Sequence, residues 1–379
     1  MAQTKQLVVE NFGPIRRVEV PFKDITVLVG PQASGKSLVL QWLKLAVDGN
    51  RILGTLGQHG FDVKQDEKRV LGWMFGAGYA GSLRPDTAVR FASKKLSVRA
   101  LAKGRRRTEA HQALFVPAHR ALVMSTGFPL IFRAFDEETP FVVKHFSERV
   151  REYLSQGALV TVFPADRRFR TEIRALLDDS LFHGGKVVVE SKGLGGRELR
   201  LVHEKTRLGI MEWTTGQREV LPLIVGLYDA LPAGAADRRK PIEWVIVEEP
   251  ELGLHPDGVL AVLLVLMETL RRGYRLVLST HSPLVLDLLW AMQRLRDDPK
   301  GPEKLTRIFR VPSTSFTRQL GKAVLGKTQS IIYLDFEDGR VVSRDISGLD
   351  PISANAAEAG WGGLLGHSTR IADVLAGAA

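Results

Sequence analysis

Ile25-Thr26-Val27-Leu28-Val29-Gly30-Pro31-Gln32-Ala33-Ser34-Gly35-Lys36-Ser37-Leu38 decides the fold of this chain. Ile25 to Val29 is a continuous apolar run without alternation, the pattern of a strand buried on both faces. It runs straight into Gly30. Beyond Ser37, Leu38 to Leu45 carries apolar side chains at helical spacing. Strand, glycine-bounded loop, Lys-Ser and helix together make the context of a phosphate-binding loop. Its backbone N–H groups and the helix N-terminus are aimed at phosphate oxygens. Gly30 and Gly35 allow a backbone and a close approach that a Cβ would block. Gly30, Pro31, Gln32, Ala33, Ser34, Gly35, Lys36, Ser37 and Leu38 are thus the expected ATP contacts. Lys36 is expected between the β- and γ-phosphates, and the Ser37 hydroxyl on Mg²⁺.

Working outward, a second buried strand, Ile242 to Val247, delivers Glu248-Glu249-Pro250-Glu251. Two adjacent carboxylates at the end of an apolar strand repel each other unless a cation is shared. Glu248 is the expected Mg²⁺ ligand, acting through water or, with its extra methylene relative to the usual Asp, directly. Glu249 is expected to orient and polarise the attacking water. A third buried strand, Arg275 to Ser279, leads to His281. Thr214-Thr215-Gly216-Gln217 opens an apolar-periodic segment that runs to Leu231, so a helix is expected to start near Gly216. Such an opening offers N–H groups and the helix dipole to an anion. It also suits a plain helix N-cap.

The order of these four motifs resembles that of the ABC-type ATPases. In that resemblance Thr214 to Gln217 corresponds to the signature motif, with Thr215 in place of its first glycine, and would serve ATP held by a second copy. His281 corresponds to the switch histidine that senses the γ-phosphate. The run Glu248-Glu249-Pro250-Glu251-Leu252-Gly253-Leu254-His255-Pro256 further resembles the EPExxLHP segment of the OLD-like branch, relatives of the RecF and SMC heads. Asn11-Phe12-Gly13-Pro14-Ile15 and Val116-Pro117-Ala118-His119-Arg120 are similar to that branch as well. The likeness covers about residues 5–50, 112–120 and 210–290. It implies that the segment after Pro250 contacts the other subunit, and that Arg120, with Gln112 the lesser candidate, lies near the nucleotide. One departure is Gln32-Ala33-Ser34, where Asn is common in the branch. Another is that about a hundred residues follow His281, too few for the Toprim nuclease that many OLD-like proteins carry. ATPases of this kind without Toprim are often one half of an anti-phage system, PARIS-, Septu- and retron-type pairs among them. The resemblance therefore implies a sensor that controls a separately encoded effector. A RecF-like DNA-repair ATPase is the alternative.

The chain has 379 residues, 44% of them hydrophobic and 25% charged, which suits a large globular core. It has no cysteine, which removes disulfides and thiolate metal sites. No apolar run is long enough to cross a bilayer, so a cytoplasmic protein without membrane contact is expected. The net charge of +11 suits a polyanionic partner such as duplex DNA, or an acidic protein. Its clusters are Lys94 to Arg107, Arg167 to Arg170 and Arg238 to Lys240. The expected fold is α/β: a P-loop NTPase of ABC-ATPase type, with a mixed central sheet, an antiparallel β subdomain and an inserted helical lid. Residues 1–120 and 206–350 form the two halves of the core. Residues 121–205 are the lid, helical plus a hairpin, and 351–379 a partly helical tail. Residues 50–90 read as short helices and loops. Residues 91–120 read as strands crossing a basic turn at Lys103 to Arg107, and 331–342 as a hairpin turning at Asp335 to Gly339. No heptad repeat long enough for a coiled-coil arm occurs.

Overall fold

The computed structural model describes residues 5–61, 66–104, 109–124, 126–155, 161–165, 168–193, 196–234 and 238–375. The buried run Ile25–Val29 (β3) sits inside one ten-stranded sheet. The other members are β1 (Lys5–Phe12), β2 (Ile15–Phe22), β4 (Leu83–Phe91), β5 (Lys94–Lys95), β6 (Ala113–Val116), β11 (Trp244–Glu248), β12 (Arg275–Ser279), β13 (Gln329–Glu337) and β14 (Arg340–Asp345). Their order is β5-β4-β1-β2-β14-β13-β3-β12-β11-β6. The half from β13 to β6 is parallel. The half from β5 to β2 is antiparallel. The sheet is mixed and flanked by helices, as the motifs implied.

The expected antiparallel β subdomain is the half β5-β4-β1-β2, and it is continuous with the parallel half because β14 pairs in parallel with β2. The hairpin β13–β14 is longer than expected. Asp335, Phe336 and Glu337 stay in strand, and the reversal falls at Asp338 and Gly339, both with positive φ.

Helix α1 (Lys36–Gln58) follows the loop as one 23-residue element where short helices were expected. Its internal glycines act as contact points. A Cβ on Gly49 would lie 3.0 Å from the Leu101 side chain, so the glycine lets α3 (Val98–Lys103) approach. Helix α3, capped by the Ser97 side chain, replaces a strand of the expected basic crossing. Arg105 to Arg107 lie outside the described residues. Leu83–Phe91, expected among helices and loops, is β4.

Around the sheet pack α2 (Glu67–Phe75), α4 (Phe141–Ser155), α5 (Thr171–Leu177), α6 (Thr215–Ala230), α7 (Pro256–Arg271), α8 (Pro283–Leu295), α9 (Gly301–Ile308) and α10 (Ser315–Leu325). Two short helices, α11 (Ala356–Ala359) and α12 (Gly366–Leu375), lie in the tail. A second, four-stranded sheet has the order β10-β9-β8-β7. It consists of β7 (Thr161–Phe163), β8 (Lys186–Lys192), β9 (Gly196–His203) and β10 (Thr206–Gly209). The turn between β8 and β9 includes residues outside the described ones. Among the described residues no helix is long and apolar enough to cross a membrane.

Candidate functional site

Parallel register sets the site. Leu278 and Ser279 of β12 stand opposite Val27 and Leu28 of β3, and Glu248 of β11 stands opposite Ser279. The loop after β3, the carboxylates after β11 and His281 after β12 therefore leave the same end of three adjacent strands. Open α/β sheets bind ligands at this end.

The loop follows from its glycines. Gly30 has φ 147°, and a Cβ there would lie 2.4 Å from the Leu334 carbonyl oxygen of β13. Gly35 has φ 78° and Ala33 φ 60°. Pro31, Gln32, Ala33 and Ser37 are exposed, Gly35 is half-buried, and Ser34 and Leu38 are buried. The Lys36 ammonium folds back over the loop, donating to the Gly30 carbonyl at 2.9 Å and the Pro31 carbonyl at 2.8 Å. Burial lowers its pKa to about 8, with Glu249 and Glu251 opposing.

Glu248 is buried, 4% exposed. One carboxylate oxygen accepts from the Ala118 N–H at 3.0 Å, and the other has no hydrogen-bond partner. Burial raises its proton affinity, while the Ala118 N–H and the Ser37 hydroxyl beside it hold it down. Glu249 is half-buried, with φ 43°, a strained value for a non-glycine residue. Its carboxylate lies 3.6 Å from His281 Nε2. Burial, and then Lys36, lower the His281 pKa, which favours the neutral imidazole.

Glu251 received no role from the sequence beyond its place in the run. Here one carboxylate oxygen accepts from the Thr280 hydroxyl at 2.8 Å and the His281 N–H at 2.7 Å. It thus fixes the histidine turn to the carboxylate turn. The available signal was the third acid in Glu-Glu-Pro-Glu.

Arg120 lies at the carboxylate turn. It is fully buried, and its guanidinium donates to the carbonyls of Glu219, Pro117, Glu248 and Glu249. The guanidinium is thus engaged with backbone on several sides. Gln112 accepts from Arg51, at the opposite end of β6 from Arg120.

Thr214 caps α6. Its hydroxyl accepts from the Gln217 N–H, and the Gln217 side-chain oxygen accepts from the Thr214 N–H. Gln217 is buried and donates to the Leu181 carbonyl at 2.9 Å. A Cβ on Gly216 would lie 3.2 Å from the Gly253 carbonyl oxygen. Thr214 and Thr215 remain exposed. This segment therefore packs on Leu181 and Gly253. Among the described residues it makes no hydrogen bond to the Gly30–Ser37 loop. The N-cap reading holds within one chain, and it leaves Thr214 and Thr215 on an exposed face.

The donor set fits Mg²⁺, which takes one or two protein oxygens and completes its shell with water and phosphate. Ser37 and the unpartnered Glu248 oxygen would supply those protein oxygens. Among the described residues no cluster of three or more His, Cys, Asp or Glu is placed to hold a metal by itself.

Strand order, loop and carboxylate turn define a P-loop fold of the ABC-ATPase type. A family profile described as "AAA domain, putative AbiEii toxin, Type IV TA system" matches residues 145–287, which include Thr214–Gln217, the carboxylates and His281. No curated protein matches. Among solved structures, an SMC head bound to the C-terminal winged-helix domain of ScpA aligns with TM-score 0.43 and 12% identity, over 93% of this chain and 98% of that one. The SMC head domain from Thermotoga maritima gives 0.38 and 11%, over 90% and 98%. An SMC head with an extended coiled coil, bound to the C-terminal domain of ScpA derived from Pyrococcus furiosus, gives 0.41 and 11%, over 90% and 96%. At these scores the fold assignment rests on strand order and loop geometry.

Proposed function

We propose that the chain binds and hydrolyses ATP, assembling with a second copy around sandwiched ATP–Mg²⁺, and serves as the sensor or scaffold subunit of an anti-phage system that controls a separate effector. The observation that carries the ATPase reading is the convergence of Lys36, Ser37, Glu248, Glu249 and His281 at one end of β3, β12 and β11.

In this reading the loop amides and Lys36 hold the phosphates, with Lys36 leaving its two carbonyls to reach them. Ser37 and Glu248 hold the Mg²⁺, which when bound neutralises phosphate charge. Glu249 orients water and accepts its proton as the water oxygen bonds to the γ-phosphorus and the bond to ADP breaks. His281, close to Glu249, senses the γ-phosphate. Thr214 to Gln217 present the α6 N-terminus to nucleotide on the partner. The defence role is supported by the toxin–antitoxin description of the matching family, which concerns that family's own members.

Duplex DNA receives less support. Arg168 donates to the Tyr228 carbonyl, Arg170 lies over Phe316, and Arg239 binds Asp229, so these arginines already serve the chain itself. Lys94, Lys95, Arg99, Lys103 and Lys240 are exposed and are the candidates for DNA contact among the described residues of those clusters.

The test is ATP turnover with and without duplex DNA, using Glu249→Gln as the comparison. Loss of turnover by about 10²-fold or more is expected, together with an ATP-dependent dimer by light scattering. Unchanged turnover in Glu249→Gln overturns the assignment, and strong stimulation by DNA moves the reading toward repair.

A further inference from the structure

Arg120 lies at the meeting point of three elements. Strand β6 accompanies β11 only as far as Val116 opposite Val247. Beyond that register the chain enters a short 3-10 segment, Ala118–Met124. Ala118 N–H donates to the Glu248 carboxylate, and Arg120 supplies what a continuing strand would have supplied. Its Nη1 donates to the Glu248 carbonyl and its Nη2 to the Glu249 carbonyl, both at 2.9 Å. Its Nε donates to the Glu219 carbonyl at 2.9 Å, on the first turns of α6, and lies 3.6 Å from the Glu219 carboxylate. That carboxylate has an oxygen with no hydrogen-bond partner.

The pattern has a directional consequence. Glu249 sits at φ 43°, a conformation that persists only where its surroundings impose it. On the other side its N–H donates to the Ser279 carbonyl of β12. The backbone of the second carboxylate is therefore held between β12 and Arg120, and Arg120 is in turn held by α6. A rigid planar fork can bridge these acceptors at once, and a single ammonium cannot.

We infer that Arg120 is a positioning residue that couples the placement of α6, the helix opened by Thr214 to Gln217, to the orientation of Glu249. This rests on the ATPase reading above. In consequence, contact of a second copy with the exposed start of α6 is transmitted to the hydrolytic carboxylate through one buried guanidinium. Arg120 itself does not touch nucleotide.

The test measures ATP affinity by calorimetry and kcat by phosphate release in the wild type, Arg120→Lys and Glu219→Ala. Arg120→Lys is expected to keep ATP affinity within about twofold while kcat falls by about 10²-fold, the size of loss a 1 Å misplacement produces. Glu219→Ala keeps every carbonyl in place and so guards against a variant that fails to fold. It is expected to lower kcat by about threefold, the scale of a weak charge pair, with affinity unchanged. Wild-type kcat in either folded variant overturns the coupling. Loss of affinity matching the loss of kcat also overturns it, by making Arg120 a ligand contact. A wild type that neither binds nor hydrolyses ATP removes the ATPase reading instead, a result distinct from active wild type with active variants.

Discussion

Substituting Asp48 by Ala tests what anchors the helix that carries the phosphate loop. Asp48 lies on α1 and is 1% exposed. It accepts from Lys44 Nζ at 2.7 Å, and from the backbone N–H groups of Gln112 at 2.8 Å and Ala113 at 3.0 Å, at the start of β6. His111 Nδ1 is 3.4 Å away. Lys44, fully buried, also donates to the Ala113 carbonyl at 2.7 Å. Burial alone would raise the Asp48 carboxyl, but Lys44 and His111 outweigh it and hold it well below the usual carboxylate range. Removing the carboxylate strands a buried ammonium and two backbone donors. Breaking a buried pair in this way costs about 3–5 kcal/mol. At about 2.1 cal/mol/K of unfolding entropy per residue, a 379-residue chain should lose about 4–6 °C in melting temperature.

The asymmetry is the sharper part of the prediction. Lys44→Met leaves Asp48 with both backbone donors and His111, so its cost should be about 1–3 kcal/mol, the range for one lost partner. Scanning calorimetry on both variants decides. A shift below about 1 °C for Asp48→Ala, or a Lys44→Met cost equal to it, refutes the reasoning that the carboxylate organises this junction.

Three further outcomes follow from the same geometry. Burial, and then Lys44, push the His111 pKa down to about 4. Since the unfolded chain binds that proton more tightly, stability should fall as pH drops from about 6.5 through that value, and a melting series in His111→Asn should show a shallower slope. Gly30→Ala sets a Cβ 2.4 Å from the Leu334 carbonyl oxygen at φ 147°. It should cost about 2 kcal/mol or more and abolish ATP binding, and a variant with wild-type melting and affinity would contradict the loop geometry. Thr214→Ala removes the α6 cap and should cost about 1 kcal/mol. Paired with Glu249→Gln, it should also weaken the ATP-dependent dimer seen by light scattering, whereas unchanged assembly reduces Thr214 to a cap.

The sequence by itself determined the elements whose rules are local. An apolar run ending at Gly30, a Lys-Ser pair opening a helix, and strands ending in Glu248-Glu249 and in His281 follow from periodicity and glycine placement, and the structure sets all of them at one end of the parallel half-sheet. Where local signals had two meanings, the tertiary structure decided. Gly49 could have broken α1, and it does not, because Leu101 packs against its bare backbone. Val98–Lys103, read as part of a strand, is a helix capped by the Ser97 side chain. Lys44 and Asp48 are four apart on α1, and the junction with β6 buries both. Arg120 shows the limit most clearly. Its position in the motif suggested a nucleotide contact. Its partners, the carbonyls of Pro117, Glu219, Glu248 and Glu249, are backbone groups spread over 132 positions of chain. Carbonyl groups carry no side-chain identity, so no residue pattern announces them. Only the packing of β6, α6 and β11 brings them to one guanidinium.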